Sequence, residues 1–180
     1  MSMVARRYAK AVFALASDER TLEETARQLE QLAALVQDPT IGPVLRSPLL
    51  APSRRRALTQ LLAKELALSD LLSRFLGVLS DQQRLGELAA VADHFQHLYD
   101  EALGRVRITV RTARPLEAAQ QEQIVGAFAR LTGKQVLPTV ALEPELLGGV
   151  LVEIEGKVYD GSVRTQLQRL AKELTGTSAL

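Results

Sequence analysis

LLGGVLVEIEGKVYDGSVRTQLQRLAKEL, residues 146–174, packs a strand, a tight turn, a second strand and the start of a helix into one continuous run. Gly148 and Gly149 can take backbone conformations closed to other residues or admit a close backbone, which suits a loop or bulge entering a strand. Val150, Val152 and Ile154 then alternate with Leu151, Glu153 and Glu155, the period of a strand with one buried face. Gly156-Lys157 has the Gly-first form of a two-residue hairpin turn, with Val158-Tyr159 as the returning strand. Asp160-Gly161 ends that strand, and Ser162 can cap a helix whose Val163, Leu167, Leu170 and Leu174 fall at i, i+4, i+7 and i+11. Asp160 close to Lys157 and Tyr159 raises the question of acid–base chemistry. No nucleophile accompanies them, and a turn that starts a helix accounts for the same residues.

Upstream, the period of two recurs. Val106, Ile108 and Val110 alternate with Arg105, Arg107 and Arg111, and a helix follows over 116–131 with Ile124, Val125, Phe128 and Leu131 on its apolar side. Gly133 stops that helix. Residues 136–142 read as a strand, and Pro138 inside it calls for a sheet edge. The order strand, helix, strand, hairpin, helix makes a small α/β domain over residues 105–180.

Residues 1–104 have the helical period throughout. The first helix, to about Ser17, has two stripes: Val4, Tyr8, Ala11, Val12 and Leu15, and beside them Ala5, Ala9, Phe13 and Ala16. A helix apolar on two sides asks for two partner surfaces, so it is either the centre of a bundle or one wall of a groove. Further helices are expected over 21–37, from a Ser53 cap through Leu66, from Ser69 or Asp70 through Leu79, and from Arg84, with Asp81 as cap, to about Leu103. Pro39, Pro43, Pro48 and Pro52 leave room only for a short helical turn over 41–46. The fold class is therefore mainly α: an antiparallel bundle of five to six helices, followed by the small α/β domain.

Composition narrows the function. With 47% hydrophobic residues in 180, the chain can bury a substantial core. Net charge is +1, with 12 basic and 13 acidic residues up to Gly104 and 10 and 8 beyond it, so neither part is a polyanion binder by bulk charge. The absence of Cys removes disulfides, thiolate catalysis and Cys-based zinc sites. No apolar run reaches the ~18 residues of a membrane span, so direct membrane insertion is not expected. Thr132-Gly133-Lys134 lacks the upstream Gly and the following Ser or Thr of a phosphate loop. His94 and His97, without Cys or a third His, read as solvated rather than metal-binding. Arg54-Arg55-Arg56 has no interleaved aromatics to stack bases, so nucleic acid is not the expected partner. No catalytic constellation, metal or cofactor site emerges, and a binding module is favoured over an enzyme.

Leu147-Gly148-Gly149, the alternating strand to Ile154, then Val158, Asp160-Gly161-Ser162-Val163 and Leu167, together resemble the C-terminal signature of the delta subunit of F-type ATP synthases, the counterpart of the oligomycin-sensitivity-conferring protein. Arg7-Tyr8-Ala9-Lys10-Ala11-Val12-Phe13-Ala14-Leu15-Ala16 is similar to the family's first helix, Arg84-Leu85 to its last bundle helix, and Ala113 with Leu116 to the passage into the second domain. Asp18-Glu19-Arg20 departs from the pattern, since a Gly commonly relaxes the family's first interhelical turn.

The resemblance implies a non-catalytic stator subunit that links the alpha/beta catalytic head to the peripheral stalk, so that rotation is coupled to ATP synthesis. It implies two partners: the amphipathic N-terminal helix of an alpha subunit, received between the first and fifth helices of residues 1–104, and the b-type stalk subunits, engaged by residues 105–180. On that basis Tyr8, Ala11, Val12 and Leu15 are expected to face the groove with Phe75, Leu76 and Leu79. Val163, Leu167 and Leu170 are the expected stalk contacts. The implied location is peripheral, on the cytoplasmic face of a bacterial plasma membrane or the corresponding face of a thylakoid. The competing reading is a free-standing adaptor that binds a partner's amphipathic helix in the same groove.

Overall fold

The computed structural model describes residues 2–47 and 50–167 and divides the chain into two compact units, Met1–Tyr99 and Asp100–Leu180. The first unit is helical: α1 (Met3–Asp18), α2 (Leu22–Gln37), the short α3 (Gly42–Arg46), α4 (Pro52–Glu65), α5 (Asp70–Asp81), a 3-10 turn at Leu85–Glu87, and α6 (Leu88–Ala102), whose last residues reach into the second unit. Ser2 caps α1 through Ala5 N at 3.3 Å, and Ser69 caps α5 through Leu72 N at 3.4 Å. Two expected caps are different. α4 begins at Pro52, whose fixed φ and missing N–H suit a first helical position, so Ser53 is already inside it. Asp81 is the last residue of α5 rather than the cap of α6, and the 3-10 turn intervenes.

The bundle core joins Ala5, Ala9, Val12 and Ala16 of α1 to Leu29, Leu32 and Val36 of α2, Leu72, Leu76 and Leu79 of α5, and Leu88, Val91 and Phe95 of α6. Buried Gln28 ties α2 to the α4–α5 turn. Its Nε2 donates to Glu24 at 3.0 Å, and its Oε1 accepts from Ser69 N at 3.0 Å. Arg20 takes φ 57°, so the α1–α2 turn has a left-handed residue at the cost of a side chain that disfavours it.

In the second unit β1 (Arg105–Thr112), α7 (Ala118–Thr132), β2 (Gln135–Leu142), β3 (Val150–Ile154) and β4 (Lys157–Asp160) form a four-stranded sheet in the order β2-β1-β3-β4, with α7 against it. β1 runs parallel to β2 and antiparallel to β3, and β3–β4 is a hairpin. Alternating Val106, Ile108 and Val110 with Val152 and Ile154 form the core. β2 is an edge strand, as Pro138 requires.

The hairpin turn lies one residue earlier than its sequence suggests. Ile154 pairs with Lys157, leaving Glu155-Gly156 as the two-residue loop, with φ of 48° and 78°. Two positive φ values define the I′ type, whose twist matches the strands, and Gly at the second position is its common form. At Gly149, φ 82°, a Cβ would lie 2.4 Å from Gly161 O, so the second glycine of the pair is the one that admits a crossing backbone.

Candidate functional site

α1 is apolar on two sides, and the two sides differ in burial. Ala5, Ala9 and Ala16 are fully buried and Val12 nearly so, which turns that stripe into the bundle core. Tyr8, Ala11 and Leu15, at i, i+3 and i+7, run along the neighbouring flank, with Tyr8 half-buried and Ala11 and Leu15 exposed. The Tyr8 ring meets Phe75 of α5 edge-on, centroids 6.0 Å apart and planes at 63°, so the flank leads directly onto α5. Arg7 places its guanidinium 5.8 Å from the Tyr8 ring centroid.

The residues expected to line a groove between α1 and α5 therefore separate into two sets. Tyr8, Ala11 and Leu15 are accessible, and Phe75 is at the boundary, 8% exposed. Val12, Leu76 and Leu79 are in the bundle core, because the inward direction of α5 runs through Leu72, Leu76 and Leu79 rather than beside it. All three are buried, so none of them reaches the accessible surface of that flank. Val78, half-exposed and three residues after Phe75, is an accessible apolar side chain that the sequence reading passed over. Its spacing of i+3 from Phe75 and i+7 from Leu71 was the available signal.

On the second unit Val163 and Leu167 are both exposed, in helical residues 163–167, and Leu170 lies outside the described residues. Asp160 has a local task. Its Oδ1 accepts from Ser162 N at 2.8 Å and its Oδ2 from the Thr165 hydroxyl at 2.8 Å, while Ser162 Oγ accepts from Thr165 N at 3.3 Å. Gly133, φ 67°, is the left-handed stop of α7, so Thr132-Gly133-Lys134 is a helix end. Among the described residues no three ligating side chains gather into a metal site, and no helix is long and apolar enough to cross a membrane.

The model of the family described as "ATP synthase delta (OSCP) subunit" matches residues 4–174. The ATP synthase subunit delta of Anaeromyxobacter dehalogenans strain 2CP-1 is 41% identical over 175 residues, which covers 97% of this chain and 98% of the relative. ATP synthase subunit delta 1 of Syntrophotalea carbinolica is 41% identical over 169 residues, covering 93% and 94%. A chain of the Toxoplasma gondii mitochondrial ATP synthase hexamer superposes with a TM-score of 0.76 at 26% identity, covering 97% of this chain and 98% of that one. With nearly the whole length matched in sequence and in fold, the chain belongs to the ATP synthase delta (OSCP) subunit family.

Proposed function

We propose that this chain is a non-catalytic stator subunit of an F-type ATP synthase, which holds the catalytic head against the peripheral stalk while the rotor turns. Its helical domain, residues 1–104, receives the amphipathic N-terminal helix of an alpha subunit between α1 and α5. Its C-terminal domain, residues 105–180, engages b-type stalk subunits through Val163, Leu167 and Leu170. The protein is peripheral, on the cytoplasmic side of the membrane that holds the complex.

The observation that supports the reading is the accessible apolar flank of Tyr8, Ala11, Leu15 and Val78 over a closed core. The small side chain of Ala11 leaves room for an incoming helix to approach, and Leu15 and Val78 offer anchors on the two walls. At ~25 cal/mol per Å² of apolar area removed from water, a few such side chains supply several kcal/mol before the costs of association. Calorimetric titration of the full chain with an alpha N-terminal peptide tests it: Tyr8→Asp or Leu15→Asp should weaken binding by about tenfold or more, since each places a charge against an apolar helix face. Unchanged affinity in both variants removes the groove assignment. Adding the protein to delta-depleted enzyme should restore coupled ATP synthesis, and failure with a matched head and membrane sector removes the stator role. ATP turnover by the purified chain alone would contradict its non-catalytic part.

A further inference from the structure

The run Arg54-Arg55-Arg56 has no part in the groove, and its three side chains have three different fates. Arg54 is exposed. Arg56 is exposed and pairs with Asp81 at 2.8 Å. Arg55 is only 4% exposed, and among the described residues it makes no ion pair; its Nη2 donates to Leu50 O at 2.9 Å. A guanidinium taken out of water without a counter-charge is expensive, and one carbonyl satisfies only a small part of its five N–H donors.

Arg55 stands between two cavities. The larger, about 170 Å³, is lined by Pro52, Arg55, Arg56, Ser80, Asp81 and Gln83. The smaller, about 40 Å³, shares Arg55 and Gln83 and adds Arg46 to its wall. Ser80, 1% exposed, lines the larger cavity, and among the described residues its hydroxyl has no hydrogen-bond partner. A buried hydroxyl left unpaired costs free energy in its own right, so two side chains on one wall are incomplete in the same way.

The surroundings favour an anion. Across the two cavities three arginines face a single described carboxylate, Asp81, which Arg56 already holds. The first turn of α4 borders the larger cavity, and its N-cap, Ala51, has no side-chain acceptor for the free amides there. The opposing influence is the C-terminal end of α5, but two carbonyls of its last turn are already engaged: Gln83 N donates to Ser80 O at 3.1 Å and Arg84 N to Leu79 O at 2.8 Å. The larger volume is below the roughly 300–1,000 Å³ of pockets that enclose organic ligands, and suits a small ion or one terminal group.

We propose that this cavity binds a small oxyanion of the phosphate class, gripped by Arg55 and hydrogen-bonded by Ser80, with Arg56 at the wall. A guanidinium presents paired donors that match the oxygens of such an ion, and a hydroxyl adds a third donor.

The test is a calorimetric titration of the full chain with inorganic phosphate, ionic strength held constant with chloride, alongside thermal unfolding. Saturable binding and a melting temperature that rises with phosphate but not with chloride are expected. Arg55→Gln should weaken the affinity by about tenfold or more, the loss expected for charge-assisted hydrogen bonds. Ser80→Ala should weaken it by a smaller factor, and Arg54→Gln should leave it unchanged. Stabilisation by chloride equal to that by phosphate overturns the proposal, as does equal loss in Arg54→Gln and Arg55→Gln. If Arg55→Gln does not fold, Ser80→Ala decides the matter, and unchanged affinity in it overturns the proposal. The same titration with a nucleoside diphosphate separates the sources: tighter binding than phosphate identifies a phosphoryl group carried on a larger molecule, weaker binding identifies the free ion, and binding of neither overturns the site.

Discussion

α1 and α7 are amphipathic helices of 16 and 15 residues, yet α1 buries four side chains completely or nearly so and α7 buries none to that degree. Three of the four in α1 are alanines, which let its axis close onto the bundle, so small side chains give a dense core. α7 rests on the sheet with Ile124, Val125, Phe128 and Ala129 half-buried, and the buried residues of that unit belong to the strands instead. The helical unit is thus held together by side-chain interdigitation, and the α/β unit by a backbone ladder under a lighter lid. Damage to the first should come from cavities, and damage to the second from backbone conformation.

Truncating one aromatic in each unit is the most direct way to break that contrast. Phe95, fully buried and 5.7 Å from the Phe13 ring centroid, should cost about 3–5 kcal/mol on change to Ala. Phe128, half-buried and edge-on to Tyr159 at 5.3 Å, should cost only about 1–2 kcal/mol. Urea unfolding followed by circular dichroism reads both, and equal losses would mean that α7 is packed as tightly as the bundle helices.

A backbone lesion should reverse the ranking. Gly149→Ala forces a left-handed φ on a residue with a Cβ and drives that Cβ into Gly161 O, so about 1–3 kcal/mol is expected from conformation alone. The loss should appear with the bundle's own transition unmoved. Gly77→Ala in α5, where an added Cβ meets nothing within 4 Å, should be neutral or stabilising.

How much of this was legible in the sequence follows the same division. The strands were readable because Val106, Ile108 and Val110 alternate strictly, and Pro138 announced an edge; both follow from local stereochemistry. The hairpin slipped by one residue because Glu155-Gly156 and Gly156-Lys157 are both acceptable two-residue loops, and only the pairing of Ile154 with Lys157 chooses between them. In the bundle, periodicity identified which residues are apolar but not how far each helix is rotated. Val12, Leu76 and Leu79 therefore read as groove lining, whereas neighbouring helices claim them for the core and leave Val78 outside. The burial of Arg55 between two exposed arginines had no sequence signal, since it depends on how α4 approaches α5.

The ion pair of Asp100 with Arg107 tests whether charge contributes comparably to either kind of packing. Asp100 is buried, but Arg107 is half-exposed, so solvent screens the pair and Asp100→Asn should cost about 1–2 kcal/mol rather than the larger loss of a fully buried pair. A double-mutant cycle with Arg107→Gln isolates the coupling, and a vanishing coupling energy would show that burial of Asp100 rests on its other contacts.

The smallest effect concerns a feature the two units share, an aspartate that secures the start of a helical turn. Asp160 does so in the α/β unit, and Asp38 in the bundle, where its Oδ1 accepts from Thr40 N at 2.7 Å and from Ile41 N at 2.9 Å. The Ile41 amide first, then that of Thr40, hold the Asp38 carboxyl below its ordinary value of 3.8. A lowered folded-state pKa means that the unfolded chain takes up its proton first as pH falls. The contribution is therefore present in full above 3.8 and is lost as pH falls through the folded value. Asp38→Asn should lower the melting temperature slightly and by a constant amount from about pH 7 to about pH 5, with the gap to the parent closing below that as the parent's carboxylate is protonated. A gap that stays open at low pH would assign the effect to side-chain shape rather than charge.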